Sequence, residues 1–227
     1  MFRNRQGKAR ADQESAGPWP VQLRYETGQT GEQYVTARGW LDARLESCPL
    51  HPHGGCSLAR HGTYERKTPP GARVARWYCP QGHTTFGLLP DCLAARLPGT
   101  LDVLEAVVVA AEEARSLEAA ANALRPDGVE LPGAMRWVRR RVRLIHSVLV
   151  LVVGLLPDRL AGCPATMAAV RTSLASDRAL MDLRHLVAGQ LAVLPAPLGF
   201  QGGGIGVGDR IGVFQHPMGP DPPPAGA

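Results

Sequence analysis

The stretch from Cys48 to Cys92 constrains this chain more than any other. It reads CPLHPHGGCSLARHGTYERKTPPGARVARWYCPQGHTTFGLLPDC and holds four of the five cysteines and four of the seven histidines. Thiols and imidazoles gathered this closely point to a bound metal, because they are the ligands that borderline-soft cations prefer. A β module this small rarely holds together on its apolar core alone, so a metal would also explain how it folds.

Within the stretch, two Cys-Pro starts lie 31 residues apart, at Cys48 and Cys79. Cys48-Pro49-Leu50-His51 reads as one ligand-bearing knuckle and Cys79-Pro80-Gln81-Gly82-His83 as the other. A Cys2His2 set of Cys48, His51, Cys79 and His83 would close a tetrahedron around Zn2+. Cys56 competes with His51 for one position; His53 and His61 are weaker rivals, and Cys92 reads as a core thiol. A closed nitrogen and sulfur set is structural. Catalytic zinc needs an open position and a neighbouring base, and Glu65, the carboxylate between the two knuckles, sits in a strand-like run without an HExxH helix. With no catalytic constellation elsewhere, the chain is expected not to be an enzyme and to take no small-molecule substrate.

The local pattern around these ligands is β. HGTYERK and ARVARWYC both alternate, and Thr68-Pro-Pro-Gly71 marks a turn between them, so they should form an antiparallel pair that draws the two knuckles together. Upstream, VQLRY at 21–25 and the piece after Gly28–Gly31 read as a hairpin, and 41–47 as one or two helical turns.

From Thr100 the period changes to that of a helix. Leu101, Leu104, Val107, Val108 and Ala111 share one face of a first helix. Ser116 caps a second over 116–125. After a break at 126–133, a third runs from about 134 to 155. Two more are expected over 164–175 and 177–194, the last capped by Ser176 with Leu180, Leu183, Val187, Leu191 and Leu194 as its apolar stripe.

The expected fold class is therefore α+β: a small zinc-ribbon-like antiparallel β module, an α-helical domain and a Gly/Pro-rich tail. The divisions fall at 1–18 (a disordered arm), 19–96 (the β module), 97–195 (the helical domain, helix-turn-helix-like over 100–150) and 196–227 (a disordered tail). The 26 glycines and 20 prolines concentrate toward the ends. The start MFRNRQGKAR has no apolar core of a secretory signal, and the longest apolar run, 148–156, is far short of a membrane span. A reducing, cytoplasmic setting without membrane association is expected.

A net charge of +5 permits an anionic partner, and apart from Lys8 and Lys67 every basic residue except histidine is arginine. The densest cluster is Met135-Arg136-Trp137-Val138-Arg139-Arg140-Arg141-Val142-Arg143. At helical spacing Arg136, Arg140 and Arg143 share a face, with Arg139 beside them, opposite the apolar stripe. Such a row can meet phosphates and, at its start, base edges. The acids of the first helix, Asp102, Glu105, Glu112 and Glu113, would have to face away from nucleic acid.

These motifs, in this order, resemble the N-terminal zinc ribbon and helix-turn-helix of bacterial insertion-sequence transposases and their uncharacterised relatives. The likeness covers about residues 45–145. It is carried by Cys-Pro-x-His, by Arg60-His61-Gly62-Thr63-Tyr64-Glu65-Arg66, by Arg76-Trp77-Tyr78-Cys79-Pro80, by Thr85-Phe86-Gly87-Leu88-Leu89-Pro90, and by SLEAAANALR followed by MRWVRRRV. His51 and His83 stand where that pattern has cysteines, and the second knuckle is one residue longer. The resemblance implies a structural zinc and DNA as partner. The catalytic domain of such transposases needs three carboxylates on a strand-rich core, and residues after 150 do not offer it. The expected function is thus a zinc-stabilised DNA-binding protein without recombinase chemistry. The alternatives are a zinc-stabilised interaction module that docks on a partner or on itself as a homo-oligomer, and a decayed transposase-derived reading frame.

Overall fold

The alternating runs form the strands their pattern predicts. The computed structural model describes residues 21–125 and 128–201; the expected arm at 1–18 and the tail beyond 201 lie outside the described residues. Strand β2 (Ala59–Glu65) pairs antiparallel with β3 (Arg73–Cys79) across the 68–71 turn, and β3 pairs antiparallel with β4 (Thr84–Pro90). The fourth strand, β1 (Val21–Tyr25), joins the far edge of β4, and it does so in parallel, Val21 opposite Phe86 and Tyr25 opposite Pro90. The sheet order is β1-β4-β3-β2, so the sheet is mixed rather than purely antiparallel.

The expected hairpin at 21–40 does not form. Thr30 starts helix α1 (Gly31–Thr36) instead, through a reciprocal cap in which Thr30 accepts from the Gln33 backbone and Gln33 accepts from Thr30. The helix seats Tyr34, fully buried, under the sheet, with its hydroxyl donating to the Arg73 carbonyl at 2.8 Å. Nor does 41–47 become a helix. It runs as turn and irregular chain over one sheet face, where Ala43 and Leu45 pack on Leu23, Ala75, Leu88 and Trp77. The Arg60 guanidinium fastens its start by donating to the Trp40 and Leu41 carbonyls.

The helical half follows its predicted periodicity closely at first. Helices α2 (Leu101–Glu113) and α3 (Leu117–Leu124) are capped by Thr100 and Ser116, whose hydroxyls accept from Val103 and Ala119. Helix α4 (Leu131–Leu155) begins three residues earlier than expected, with Pro132 inside its first turn. A short α5 (Pro157–Leu160) follows, then α6 (Met167–Leu174) and α7 (Ala179–Leu186). The fold is thus α+β, a four-stranded mixed sheet with seven α-helices among the described residues.

Two of the acids on α2 turn inward, toward other helices. Glu105 and Glu112 are seven residues apart, two helical turns, so they share one side. Glu112 accepts from the Met167 and Ala168 backbone at the start of α6, each at 2.9 Å. Glu105, 3% exposed, accepts from Ala179 at 3.1 Å and Leu180 at 2.9 Å at the start of α7. Helix α7 has no side-chain cap of its own, since Ser176 bonds Arg178 in the turn before it. Each carboxylate therefore supplies, from another helix, the negative charge that a helix N-terminus favours. Glu105→Ala is expected to lower stability by about 2–3 kcal/mol, leaving two buried donors unpaired. Thermal melts should fall by roughly 5–10 °C, and Glu105→Gln, which keeps an acceptor oxygen, by less than half of that.

The two halves also share a core. Tyr34, Val74, Leu89, Cys92 and Leu93 from the sheet side pack with Met181 of α7 and with Phe200. Residues 196–201, expected to begin the disordered tail, are ordered against this seam. Leu198 is fully buried, and the Pro197 carbonyl accepts from the Ala95 backbone.

Candidate metal centre and arginine helix

One loop and one strand end build the candidate metal centre. Cys48 opens a tight turn in which the His51 backbone donates to the Cys48 carbonyl at 3.0 Å, returning the His51 ring toward the thiol. Gly54 and Gly55 follow with φ of +86° and +87°, a conformation that favours glycine, and they bend the chain so that Cys56 comes back to the same point. The fourth residue, Cys79, is the last of β3. The Sγ and imidazole nitrogen atoms of Cys48, His51, Cys56 and Cys79 all lie within 4.8 Å of one another and could hold a metal ion. His51 Nδ1 is 3.5 Å from Cys48 Sγ and 3.4 Å from Cys79 Sγ.

The arrangement is three ligands from the loop and one from the strand, not the two-and-two set read from the twin Cys-Pro starts. His51 and Cys56 do not exclude each other; both are in the cluster. His83 is outside it. Its backbone has a φ of 45°, and its Nδ1 faces the Tyr78 hydroxyl at 3.4 Å on the other side of the strand end. What the second knuckle supplies instead is Gly82, whose N–H donates to Cys79 Sγ at 3.3 Å. A Cβ there would come within 2.4 Å of Leu50 Cδ1, so a side chain at 82 would displace the exposed Leu50 side chain that packs over this turn. The sequence signal was the Cys-Pro-x-Gly spacing itself. Cys92, fully buried, sits among Tyr34, Leu89 and Leu93, and burial pushes its thiol up to about 12.

The electrostatics of the cluster are those of thiols sharing charge. Burial pushes the Cys48 thiol up, but hydrogen bonds from His51, the Leu50 backbone, Cys79 and Cys56 outweigh it and bring it down to about 6. Cys56 moves the other way, to about 11, raised by burial and by its bonds to the Cys48 and Cys79 sulfurs. Around the cluster Cys48, Cys79 and Phe86 form a buried patch flanked by Leu23, Leu45, Leu58 and Trp77.

The second candidate is helix α4. Arg136, Arg139, Arg140 and Arg143 are all exposed, and none forms an ion pair among the described residues. Arg141, on another side, is half-buried and lies over the Trp137 ring at 3.8 Å from its centroid. Trp137 in turn packs with Val107, Ala121, Ala134 and Val138, so it is a packing residue. Helices α2 and α3 brace α4 from behind, with residues 125–130 between α3 and α4.

Comparison with protein-family models, with curated proteins and with solved structures returned no match. No described helix is long and apolar enough to cross a membrane.

Proposed function

We propose that this is a zinc-stabilised DNA-binding protein, with the metal holding the β module and α4 meeting the nucleic acid. The observation that carries the reading is the exposed row Arg136, Arg139, Arg140 and Arg143, without an ion pair among the described residues, on a helix braced by two others. Arginine's planar fork suits phosphate and guanine. A row left without acidic partners keeps its charge available for them. The transposase-like motifs of the sequence support the same reading, and no recombinase chemistry belongs to it.

For the metal, zinc fits the donors best. Three sulfurs and one imidazole are a standard structural set, and a tetrahedral zinc with its usual bond lengths spaces sulfur and nitrogen ligands about 3.6 Å apart. The two separations of His51 Nδ1 from sulfur, 3.5 and 3.4 Å, match that edge. When bound, the ion would draw the thiols into their thiolate form and close the loop against β3.

The test is a gel-shift titration on duplex DNA across a salt series. Four phosphate-contacting arginines should make affinity fall roughly as the third to fourth power of salt concentration. Arg136→Ala with Arg140→Ala should weaken binding and reduce that slope by about two. Absence of binding at low salt, or binding indifferent to the double substitution, sinks the DNA reading.

A further inference from the structure

The strip that begins with the arginines does not stop at Arg143. At spacings of three and four it runs on through Ser147, Val150, Leu151 and Gly154, all exposed on the same side of α4. Val150 is 61% exposed and Leu151 47%, and Leu155 at 44% borders them. The first half of this face is basic and the second half apolar. The opposite face of the same stretch carries Ile145, Val148, Leu149 and Val152 into the main core, so both sides of the helix end are apolar and the described residues cover only one.

We infer that the covering partner is a second copy of this chain, with the two α4 helices antiparallel about a two-fold axis between Val150 and Leu151. The strip is complementary to itself in that register. Val150 faces Leu151 of the other copy, and Ser147 faces Gly154, two small residues that let the helix axes approach closely. Arg143 stands about 11 Å from the axis at 1.5 Å per residue, opposite the other copy's α4 C-terminus. That terminus can take a cation: its last turn carries no basic residue, and Asp158 just beyond it, in the first turn of α5 and followed by Arg159, is exposed and forms no ion pair among the described residues. The partial negative charge of the helix end and the Asp158 carboxylate therefore complement Arg143. A parallel pair would instead set arginine against arginine. The contact is a single helix face, so the dimer is of the transient class.

The pairing shares Arg143 and one face of α4 with the DNA reading, and it is measured without nucleic acid, so that the two can fail separately. Sedimentation equilibrium on the full chain, nuclease-treated and metal-loaded, over about 1–200 µM brackets a transient contact. The mass should rise from 24.3 kDa toward twice that value. Gly154→Leu is the decisive variant. A side chain there meets nothing within 4 Å in its own chain, and leucine is a better helix former than glycine, so the monomer should fold at least as well and the dimer should be lost. Leu151→Glu should also leave a monomer. Arg143→Glu should weaken association at least tenfold, and adding Asp158→Arg should restore it. A wild-type chain that stays monomeric throughout, or Gly154→Leu and Leu151→Glu chains that still dimerise, overturns the inference. Loss of DNA binding with the dimer intact counts against the DNA reading alone.

Discussion

Cys79→Ser is expected to empty the metal centre and release segment 41–58 from the sheet, while the helical half stays folded. Cys79 is the one ligand on a strand; the other three reach it from a loop with no regular strand or helix of its own. Without the metal, that loop keeps the two Arg60 bonds at its start, the bonds of Ser57 and Gly55 with the Gln81 side chain near its end, and the packing of Ala43, Leu45 and Leu58. Apparent zinc contributions in zinc-finger peptides are about 10–16 kcal/mol, far above what those few contacts offer. Metal analysis should find one ion per wild-type chain and almost none in Cys79→Ser or Cys56→Ser. His83→Ala should retain the full ion, because the structure sets His83 apart from the cluster. Trypsin should cut after Arg44 at least a hundredfold faster in the metal-free protein. Far-ultraviolet dichroism should change little, since α2, α4, α6 and α7 pack around their own core. Metal-free wild-type protein with the same resistance to trypsin would remove the metal from any role in the fold.

The parts of this fold that sequence could show are those written in local periodicity. The alternation of 59–65 and 73–79, and the helical stripes of α2, α3 and α4, each depend on residues within a few positions of one another. The stripe of Leu180, Leu183, Val187, Leu191 and Leu194 was also legible: all five are buried, although regular α-helix ends at Leu186 and the rest is a 3-10 turn and loop. The parallel pairing of β1 with β4 was not, because it joins residues 65 positions apart (Val21 with Phe86) and no local pattern encodes it. At 28–31 two signals competed. The glycines spoke for a hairpin turn, while Thr30 and Gln33 carried a capping box; the box prevailed because Tyr34 could then bury its ring beneath the sheet.

The metal cluster was half legible for a similar reason. Cys48 and Cys79 follow from the Cys-Pro starts; the sequence set Cys56 against His51 and took His83 as a ligand, whereas the structure gathers both Cys56 and His51 and leaves His83 out, which turns on backbone direction. Gly54 and Gly55 bring Cys56 back to the cluster. The residue after Gly82 leaves the turn in the left-handed region and carries its ring away to Tyr78. The acids of α2 show the limit more sharply. Glu105 and Glu112 read in sequence as part of an acidic face turned away from nucleic acid, and their partners are helix termini 55 to 75 residues further along the chain.

Arg184→Met is expected to destabilise the whole molecule by about 3–5 kcal/mol, the range for leaving a buried charged network unpaired. Arg184 lies on the apolar stripe of α7, one position after Leu183, and is 1% exposed. Its guanidinium is met by main-chain carbonyls, not by a carboxylate. Nε donates to Leu198 at 3.0 Å, Nη1 to Asp91 at 2.8 Å and Leu93 at 2.6 Å, and Nη2 to Pro197. The Asp91 side chain is engaged elsewhere, with Arg24 at 2.7 Å. Burial lowers the Arg184 pKa to about 10, so the group remains charged at neutral pH while four carbonyls share its protons. Those carbonyls belong to the exit of the sheet and to the segment after α7, so this one side chain ties three separate stretches of chain together. Methionine fills much of the volume but donates nothing, leaving the Asp91, Leu93 and Leu198 carbonyls without the donor they have and Pro197 with the Ala95 amide alone. Lysine is also expected to fail, by about 2 kcal/mol, because a single ammonium cannot reproduce a planar fork. Thermal melts should fall by roughly 10–15 °C for Arg184→Met. Hydrogen exchange should quicken first at Ala95, whose amide donates to Pro197. A melt within about 2 °C of wild type would mean that water replaces the guanidinium without loss, and that the sheet and the helices do not depend on each other through this residue.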